Sequence, residues 1–356
     1  MIKIAINGFG RIGRLALRNI LDQHPNLSVA AINDLTDTKT LAYLLQYDSN
    51  YGKYSKEVSF DEKNIIVGEK KIPVFAEKDI LKLPWNKLGI DIVLECTGVY
   101  LDYKNNLNHL NAGAKKVIIS APCKGDGEIN TFLLGVNEEK YNPEKDHIIS
   151  NGSCTTNCVA PLAKILNDNF GIEKAFIGTA HSYTNSQRLL DLPAKNMRES
   201  RAAALSIIPS ATGAAKSVHQ AIPELKGKLS GYALRVPTPV VSIADITAII
   251  KTTTTAEKVN KIFEQAAKSK LKGILGVSNQ PLVSVDYKGN PLSAIVDMPL
   301  TLAQENLVKV TAWYDNEWGY TCRLTEMAEY ITNFKTQMSN AKSIPSTRDK
   351  TQMTKI

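Results

Sequence analysis

The chain has 356 residues, a length that predicts two domains, and it is long enough to bury a sizeable hydrophobic core. Hydrophobic residues make up 43% and charged residues 22%, a composition that argues against a disordered protein. The apolar runs fall short of the roughly 20 residues that a membrane-spanning helix requires. The first residues enter a strand pattern directly, so we expect a cytoplasmic protein without a signal peptide.

The formal net charge of +8 raises the question of an acidic partner such as nucleic acid. Half of this charge lies on residues 335–356, which carry five Lys or Arg residues against one Asp and show no apolar periodicity. This segment is predicted to be a disordered or loosely attached tail that is polar and basic. The five cysteines include no C-x-x-C pair, and no histidine pair completes a zinc site, so we expect reduced thiols and no metal.

Residues 1–150 alternate short β-branched runs with helical stretches, which predicts a doubly wound, parallel sheet of the Rossmann type. The first strand leads into a G-x-G-x-x-G motif at Gly8, Gly10 and Gly13, and a helical stretch follows. Gly8 permits the tight turn, and Gly10 lets a pyrophosphate approach the backbone. The motif in this setting predicts a dinucleotide site.

Asp34 ends the second predicted strand, 21 residues beyond Gly13. An acidic side chain at this place binds the hydroxyls of an adenosine ribose. Leu35 follows, and no Arg or Ser stands nearby to receive a 2′-phosphate. The sequence therefore predicts NAD rather than NADP as the cofactor.

The segment SNGSCTTNCVAP, residues 150–161, places Cys154 where a short strand turns into a helix. The free N–H groups and the dipole of a helix N-terminus favour a thiolate there. A thiolate beside a hydride acceptor can oxidise an aldehyde through a covalent thioester, provided that a base is close. The candidate base is His181, at the end of a predicted strand, whereas Cys158 is predicted to be a buried apolar residue.

From about residue 172 the strands become longer, which predicts an α+β domain with a mostly antiparallel sheet. The predicted strands include KAFIGTAHSYT, PLVSVDYKG, AIVDM and LVKVTAWYDN. An amphipathic helix over residues 318–334 is predicted to return to the first domain. We thus expect an NAD-binding domain of residues 1–150 completed by that helix, a catalytic domain of residues 151–317, and the tail.

Six motifs resemble, in order and spacing, those of the phosphorylating glyceraldehyde-3-phosphate dehydrogenases: INGFGRIGR, SCTTNC, HSYTN, ATGAAK, LRVPTP and WYDNEWGY. The resemblance covers residues 1–334. It implies oxidation of D-glyceraldehyde 3-phosphate to 1,3-bisphosphoglycerate with NAD and inorganic phosphate. Cys154 resembles the family's nucleophile and His181 its base, and the Cys154 N–H would help to hold the oxyanion.

The resemblance also implies the binding residues. The cofactor positions are Gly8, Gly10, Arg11, Ile12, Asp34, Lys78, Ser120 and Asn316, the last of which would contact the nicotinamide carboxamide. Thr184 and Arg235 resemble the site for the phosphate of the substrate. The site for inorganic phosphate would comprise Ser153, Thr155, Thr212 and Gly213. Leu192 and Pro193 resemble a loop that reaches the cofactor of a neighbouring subunit, which implies a homotetramer.

Three residues depart from the family pattern. Ser186 stands where many members have Asp, and Lys78 replaces the commoner Arg. Glu199 stands where bacterial members often carry a phosphate-site Arg, so the inorganic-phosphate pocket is the least defined part of the predicted site.

Three alternatives were weighed against this interpretation. An erythrose-4-phosphate dehydrogenase would share the nucleophile and the base, but HSYTN and ATGAAK favour the glyceraldehyde enzyme. A nucleic-acid-binding protein would use the basic surface and show a steep salt dependence, but no motif of such proteins is present. A cofactor-free cysteine hydrolase would have no use for the glycine motif.

Overall fold

Two β-sheets with helices packed against them form the protein in this computed structural model. The structure describes residues 1–125 and 129–342, with side-chain surroundings up to residue 333. Among these residues, none of the helices combines the length and the hydropathy that a bilayer-spanning segment needs.

The first half of the chain forms a nine-stranded sheet in the order β10-β11-β9-β8-β1-β2-β7-β6-β5, and a separate hairpin of β3 and β4. The strands are β1 (Ile2–Asn7), β2 (Leu27–Asn33), β3 (Tyr47–Asp48), β4 (Gly52–Lys53), β5 (Val58–Phe60), β6 (Asn64–Val67), β7 (Lys70–Phe75), β8 (Ile92–Glu95), β9 (Lys116–Ile119), β10 (Asn130–Thr131) and β11 (Ile148–Ser150). Only the pairs β5–β6 and β6–β7 are antiparallel in the large sheet. Its centre is parallel, as predicted.

Helices cover both faces of this sheet. In the first half they are α1 (Arg11–Gln23), α2 (Thr38–Gln46), α3 (Trp85–Leu88) and α4 (Tyr103–Asn111). The side chains of β1 alternate between two cores, as the pleat of a strand requires. Ile4 and Ile6 lie in one core, and Ala5 lies in the other with Trp85 and Val93.

The second half forms an eight-stranded sheet in the order β13-β14-β12-β15-β19-β17-β16, with β18 paired to β19. The strands are β12 (Ile172–Ser182), β13 (Ile208–Ala211), β14 (Leu229–Val236), β15 (Ser242–Ile250), β16 (Leu275–Ser278), β17 (Ala294–Asp297), β18 (Leu302–Gln304) and β19 (Leu307–Tyr314). Five pairings are antiparallel, and β12–β14 and β16–β17 are parallel. The predicted fold class is therefore confirmed.

Four more helices complete the fold: α5 (Cys154–Phe170), α6 (Ala214–Ala221), α7 (Ala256–Lys268) and α8 (Trp318–Lys342). Helix α8 returns to α1, as predicted. Asn19 donates to the Thr325 hydroxyl at 2.7 Å, and His24 Nδ1 lies 2.8 Å from a Glu329 carboxylate oxygen. The domain boundaries at residues 150 and 317 stay predictions.

Two predicted elements need correction. Helix α8 runs to Lys342, eight residues beyond its predicted end, because KTQMSNAK contains no Gly or Pro to stop it. The prediction of disorder is therefore wrong for residues 335–342. Residues 343–356 lie outside the described residues. PLVSVDYKG is not a strand, since Ser284–Tyr287 forms a 3-10 helix in which the Asp286 carboxylate accepts from the Val283 N–H at 2.8 Å.

Candidate active site

The nucleophile and the base predicted from the sequence lie side by side. Sγ of Cys154 is 3.3 Å from Nε2 of His181, although the two residues are 27 positions apart. Cys154 is partly exposed, whereas His181 is buried near the end of β12. The sulfur is thus accessible to a ligand, while the imidazole is shielded from water.

Helix α5 begins at Cys154 because Ser153 caps it. The Ser153 hydroxyl accepts from the Thr156 N–H at 3.0 Å, and the Thr156 hydroxyl accepts from the Ser153 N–H at 3.2 Å. This reciprocal capping box fixes the first turn. The backbone N–H of Cys154 lies inside that turn, where helical N–H groups lack intrahelical partners and can receive an oxyanion.

Opposing effects act on the Cys154 thiol. Burial raises its pKa, while the positive charge of Arg235 and hydrogen bonds from Thr155 lower it. Burial also lowers the pKa of His181 to about 3, and Arg235 adds to this effect. The sequence indicated the favourable N-terminus of the helix but not the cost of burying the sulfur. Cys158, one turn further on, is fully buried, as predicted.

Arg235 joins the pair because β12 and β14 run parallel with His181 opposite Arg235. Its Nη1 lies 2.6 Å from His181 Nδ1 and donates to the Ser182 carbonyl at 3.3 Å. The same Nδ1 lies 2.7 Å from the Ser182 carbonyl oxygen. A guanidinium at this place brings positive charge to the sulfur and provides donors for an anion.

The hydroxyls of the other predicted substrate residues differ in how far they are already engaged. The Thr184 hydroxyl is 2.9 Å from the Ser186 hydroxyl, on an exposed turn after β12. The Thr155 hydroxyl is buried and bonded to the Tyr314 hydroxyl at 2.9 Å, so only its backbone faces a ligand. Thr212 accepts from the Ala214 N–H at 3.2 Å.

Gly213 is the N-cap of α6, which begins at Ala214, so the Thr212 hydroxyl engages the first N–H of that helix. It follows β13, in which Ile208 pairs with Arg235 and Ala211 with Tyr232. Thr212 and Gly213 therefore follow the end of β13 that is remote from Arg235. The sheet register therefore does not bring Thr212 and Gly213 next to Arg235.

The glycine motif has the shape of a phosphate-binding loop. Gly8 has φ +89°, and a Cβ on it would meet the Thr97 nitrogen at 2.6 Å. A Cβ on Gly13 would lie 2.2 Å from the Gly8 carbonyl oxygen. By contrast, a Cβ on Gly10 would meet nothing within 4 Å, and no side chain caps α1 there. The N-terminus of α1 is therefore open to an anion.

Three other predicted cofactor residues stand at the same edge of the large sheet. Asp34 follows β2, Lys78 follows β7, and Ser120 follows β9. Cys154 follows β11 at that edge, where nucleotides bind in open α/β sheets. The structure thus brings the predicted dinucleotide residues and Cys154 to one edge of the sheet.

The side chain of Arg11 is already engaged. It pairs with Asp48, and its Nε donates to the Glu317 carboxylate at 2.9 Å. Although burial opposes it, these two carboxylates raise the pKa of Arg11 above its usual range. At Arg11, therefore, the backbone is the part that remains able to contact a cofactor.

Two residues near the site were not predicted from the sequence. Tyr314 places its hydroxyl between Thr155 and Thr179, at 2.9 and 3.0 Å. Asp315 is buried and accepts from the Tyr51 hydroxyl at 2.7 Å. Both lie in WYDNEWGY, so a motif scan could have pointed to them. Among the described residues, no cluster of His, Cys, Asp and Glu could hold a metal ion.

Comparisons with known proteins agree with this geometry. A family model described as "Glyceraldehyde 3-phosphate dehydrogenase, NAD binding domain" matches residues 2–103. A second, described as "Glyceraldehyde 3-phosphate dehydrogenase, C-terminal domain", matches residues 153–316.

Curated relatives are similar over almost their whole length. Glyceraldehyde-3-phosphate dehydrogenase 1 of Bacillus subtilis is 53% identical over 331 residues, which cover 93% of this chain and 98% of the relative. The glyceraldehyde-3-phosphate dehydrogenase of Geobacillus stearothermophilus is 51% identical over 333 residues, with the same two coverages of 93% and 98%. That of Streptomyces coelicolor is 48% identical over 334 residues, with 93% and 99% covered.

Proposed function

The chain belongs to the glyceraldehyde 3-phosphate dehydrogenase family, and we propose that it converts D-glyceraldehyde 3-phosphate to 1,3-bisphosphoglycerate with NAD and inorganic phosphate. The predicted family, the NAD-dependent oxidoreductase class and the cofactor are confirmed. The observation that carries the proposal is the 3.3 Å contact between Cys154 Sγ and His181 Nε2, at the sheet edge that holds the glycine motif.

The residues of the dinucleotide edge fit NAD. The open N-terminus of α1 at Gly10 would receive the pyrophosphate, and the Asp34 carboxylate would accept from the ribose hydroxyls. Lys78, which follows β7, and Ser120, which follows β9, would contact other parts of the dinucleotide from the same edge of the sheet. When bound, NAD supplies the hydride acceptor.

The Cys154–His181 pair would carry out the covalent chemistry. Sγ adds to the aldehyde carbon while Nε2 of His181 takes the thiol proton, and that proton passes to the oxygen to give a thiohemiacetal. As the carbon loses hydride, Nε2 takes the hydroxyl proton, and an acyl thioester remains on Cys154. The Cys154 N–H would stabilise the oxyanion.

Phosphate then attacks the thioester carbon, and Sγ leaves as the acyl phosphate forms. We propose that Arg235 and Thr184 hold the phosphate of the substrate. Ser153, Thr155, Thr212 and Gly213 would bind the attacking phosphate, with Thr155 contributing its backbone because its hydroxyl is bonded to Tyr314. The N-terminus of α6, where the N-cap Gly213 has no side chain, supports this placement.

The proposal is tested by following NADH formation from glyceraldehyde 3-phosphate with and without phosphate. We expect turnover to require phosphate and to disappear in Cys154→Ser. His181→Asn should lower kcat by ~10²–10⁴-fold, the usual contribution of general-base catalysis. Cys158→Ala, on the same helix, is the matched control and should keep activity. Equal turnover without phosphate would contradict the phosphorylating reaction.

We also propose that the protein is a cytoplasmic homotetramer. Leu189, Leu190 and Leu192 are 82%, 69% and 57% exposed on the loop after β12, and an apolar loop of this kind is typical of a subunit interface. The five cysteines are free, which suits a reducing compartment. Light scattering coupled to gel filtration would give the mass, and a monomeric mass would contradict the tetramer.

A further inference from the structure

Ser242, the first residue of β15, lies between the two parts of the candidate site. Its side chain is buried, and its Oγ accepts from the backbone N–H of Ser182 at 3.0 Å. The same Oγ lies 3.0 Å from Oδ1 of Asn316. One hydroxyl thus connects the strand end that carries His181 to the residue expected at the nicotinamide.

The chemistry of the donors gives these hydrogen bonds a direction. The Ser182 N–H can only donate, so the Ser242 oxygen is its acceptor. Among the described contacts, the acceptor that remains for the Ser242 hydrogen is Oδ1 of Asn316. Since an Asn amide has one oxygen and one NH2 group, engaging the oxygen leaves the NH2 group for a ligand.

The backbone before Ser242 is held in an unusual conformation. Val241 is buried and has φ 71°, a region that β-branched residues rarely adopt. Its carbonyl accepts from the Ser182 hydroxyl at 2.7 Å. The Ser182 side chain therefore holds the strained turn, and the Ser182 N–H holds the Ser242 hydroxyl. These two contacts together fix the position of Ser242 Oγ.

We propose that Ser242 is a positioning residue that fixes the Asn316 amide with its NH2 group directed at the carbonyl oxygen of the nicotinamide carboxamide. This inference rests on the proposed function to the extent that Asn316 contacts the nicotinamide. Asn316 is 6% exposed, so few other partners compete for its amide. An amide fixed in this way holds the ring in one orientation relative to Cys154.

The test compares NAD with 3-acetylpyridine adenine dinucleotide, in which a methyl group replaces the carboxamide NH2 and the carbonyl remains. In the wild-type protein both molecules can accept the Asn316 hydrogen bond. In Ser242→Ala the amide is free to turn and to accept from the NH2 group of NAD, which the analogue lacks. We expect the preference for NAD over the analogue, measured as the ratio of Kd values by calorimetry, to rise by ~2–10-fold, the worth of one hydrogen bond.

Two further variants separate orientation from packing. Ser242→Thr keeps the hydroxyl and should keep the wild-type ratio. Ser293→Ala removes a buried hydroxyl that has no hydrogen-bond partner among the described residues, and it should also leave the ratio unchanged. If Ser242→Ala does not fold, Ser242→Cys, with its weak S–H donor, replaces it in the comparison.

An unchanged ratio in Ser242→Ala and Ser242→Cys would overturn the proposal, as would a Ser242→Thr ratio that moves as far as the alanine ratio. Failure of the proposed function is a separate outcome, because it appears as an absence of turnover in the wild-type protein. The Kd ratio does not depend on turnover. In an active protein, the same variants should change kcat/KM for the two cofactors in the same direction.

Discussion

At the end of β2, the Asp34 carboxylate accepts from the Phe9 N–H at 2.8 Å and from the Thr36 N–H at 3.0 Å. These bonds hold a negative charge beside the glycine motif, where the adenosine ribose would lie. A 2′-phosphate there would be repelled. We expect NAD to be preferred over NADP by at least ~10-fold in kcat/KM, which corresponds to about 1.4 kcal/mol.

Asp34→Asn should reduce this cofactor preference, because it removes the charge and keeps an acceptor. Asp37→Asn, which removes a charge three residues away and leaves a good N-cap for α2, is the matched control. Steady-state kinetics with both cofactors measures the effect. Comparable kcat/KM values for NAD and NADP in the wild-type protein would contradict it.

Burial raises the pKa of the Cys154 thiol, and Arg235 opposes this effect. Because its positive charge lowers the pKa of the Cys154 thiol, Arg235→Gln should raise that pKa and decrease the thiolate fraction at any given pH. The rate of alkylation by iodoacetamide should then rise with pH along a curve shifted to higher pH. Lys195→Gln, on the loop after β12, is the control, and coincident curves would contradict the effect of Arg235.

At the scale of elements, the turn between β1 and α1 needs glycine for two different reasons, close packing at Gly13 and space for a ligand at Gly10. Gly13→Ala places a Cβ 2.2 Å from the Gly8 carbonyl oxygen, so we expect a loss of stability of about 1–3 kcal/mol together with a loss of NAD binding. Gly10→Ala meets no atom within 4 Å. It should keep the wild-type melting temperature and still weaken NAD binding, because its methyl group occupies the ligand's space.

Thermal unfolding and NAD titration of both variants test this distinction. A Gly10→Ala protein that binds NAD like wild type would show that the pyrophosphate does not approach the backbone at that position.

The elements that could be predicted are those with local signals. The glycine spacing after β1 and the Ser153–Cys154 turn define their helices within a few residues, so the sequence located the Rossmann sheet and the helix start at Cys154. The position of Arg235 beside His181 could not be derived from spacing, because it depends on the parallel pairing of β12 with a strand some 50 residues later. The family resemblance supplied that residue.

The failed strand prediction at PLVSVDYKG has a physical reason. Its alternating apolar residues predict a half-buried strand, yet Val283 and Val285 are 57% and 65% exposed. The Asp286 side chain offers the backbone a competing hydrogen bond, and such local bonds favour a turn over a strand. The alternation of apolar residues alone cannot show whether the strand or the turn is lower in free energy.

At the scale of the whole molecule, α8 connects the two sheets. Its first turn follows Asp315 and Asn316 of the second half, and Leu324 and Met327 pack in a core of the first. The Tyr320 hydroxyl donates to the Gly152 carbonyl at 3.1 Å, just before Cys154. Asn316, the turn before Cys154 and the core of the first sheet are thus connected by one helix.

Truncation after Lys342 leaves all of these contacts in place. We expect kcat, KM and the oligomeric mass to stay within about twofold of wild type, since no residue of the site is removed. Because Arg348, Lys350 and Lys355 are lost, non-specific binding to nucleic acid should weaken and show a smaller salt slope. Kinetics and filter binding at several salt concentrations test both expectations, and a large loss of activity would contradict the first.

The ion pairs of Arg11 have a consequence for how the family's sequences vary. The guanidinium belongs to the glycine motif by position, but it ties the β3–β4 hairpin at Asp48 to the start of α8 at Glu317. Selection on residue 11 should therefore act through the two carboxylates. Relatives that have lost this arginine are expected to have lost the acids at positions 48 and 317 as well, so the three positions would be inherited as a unit.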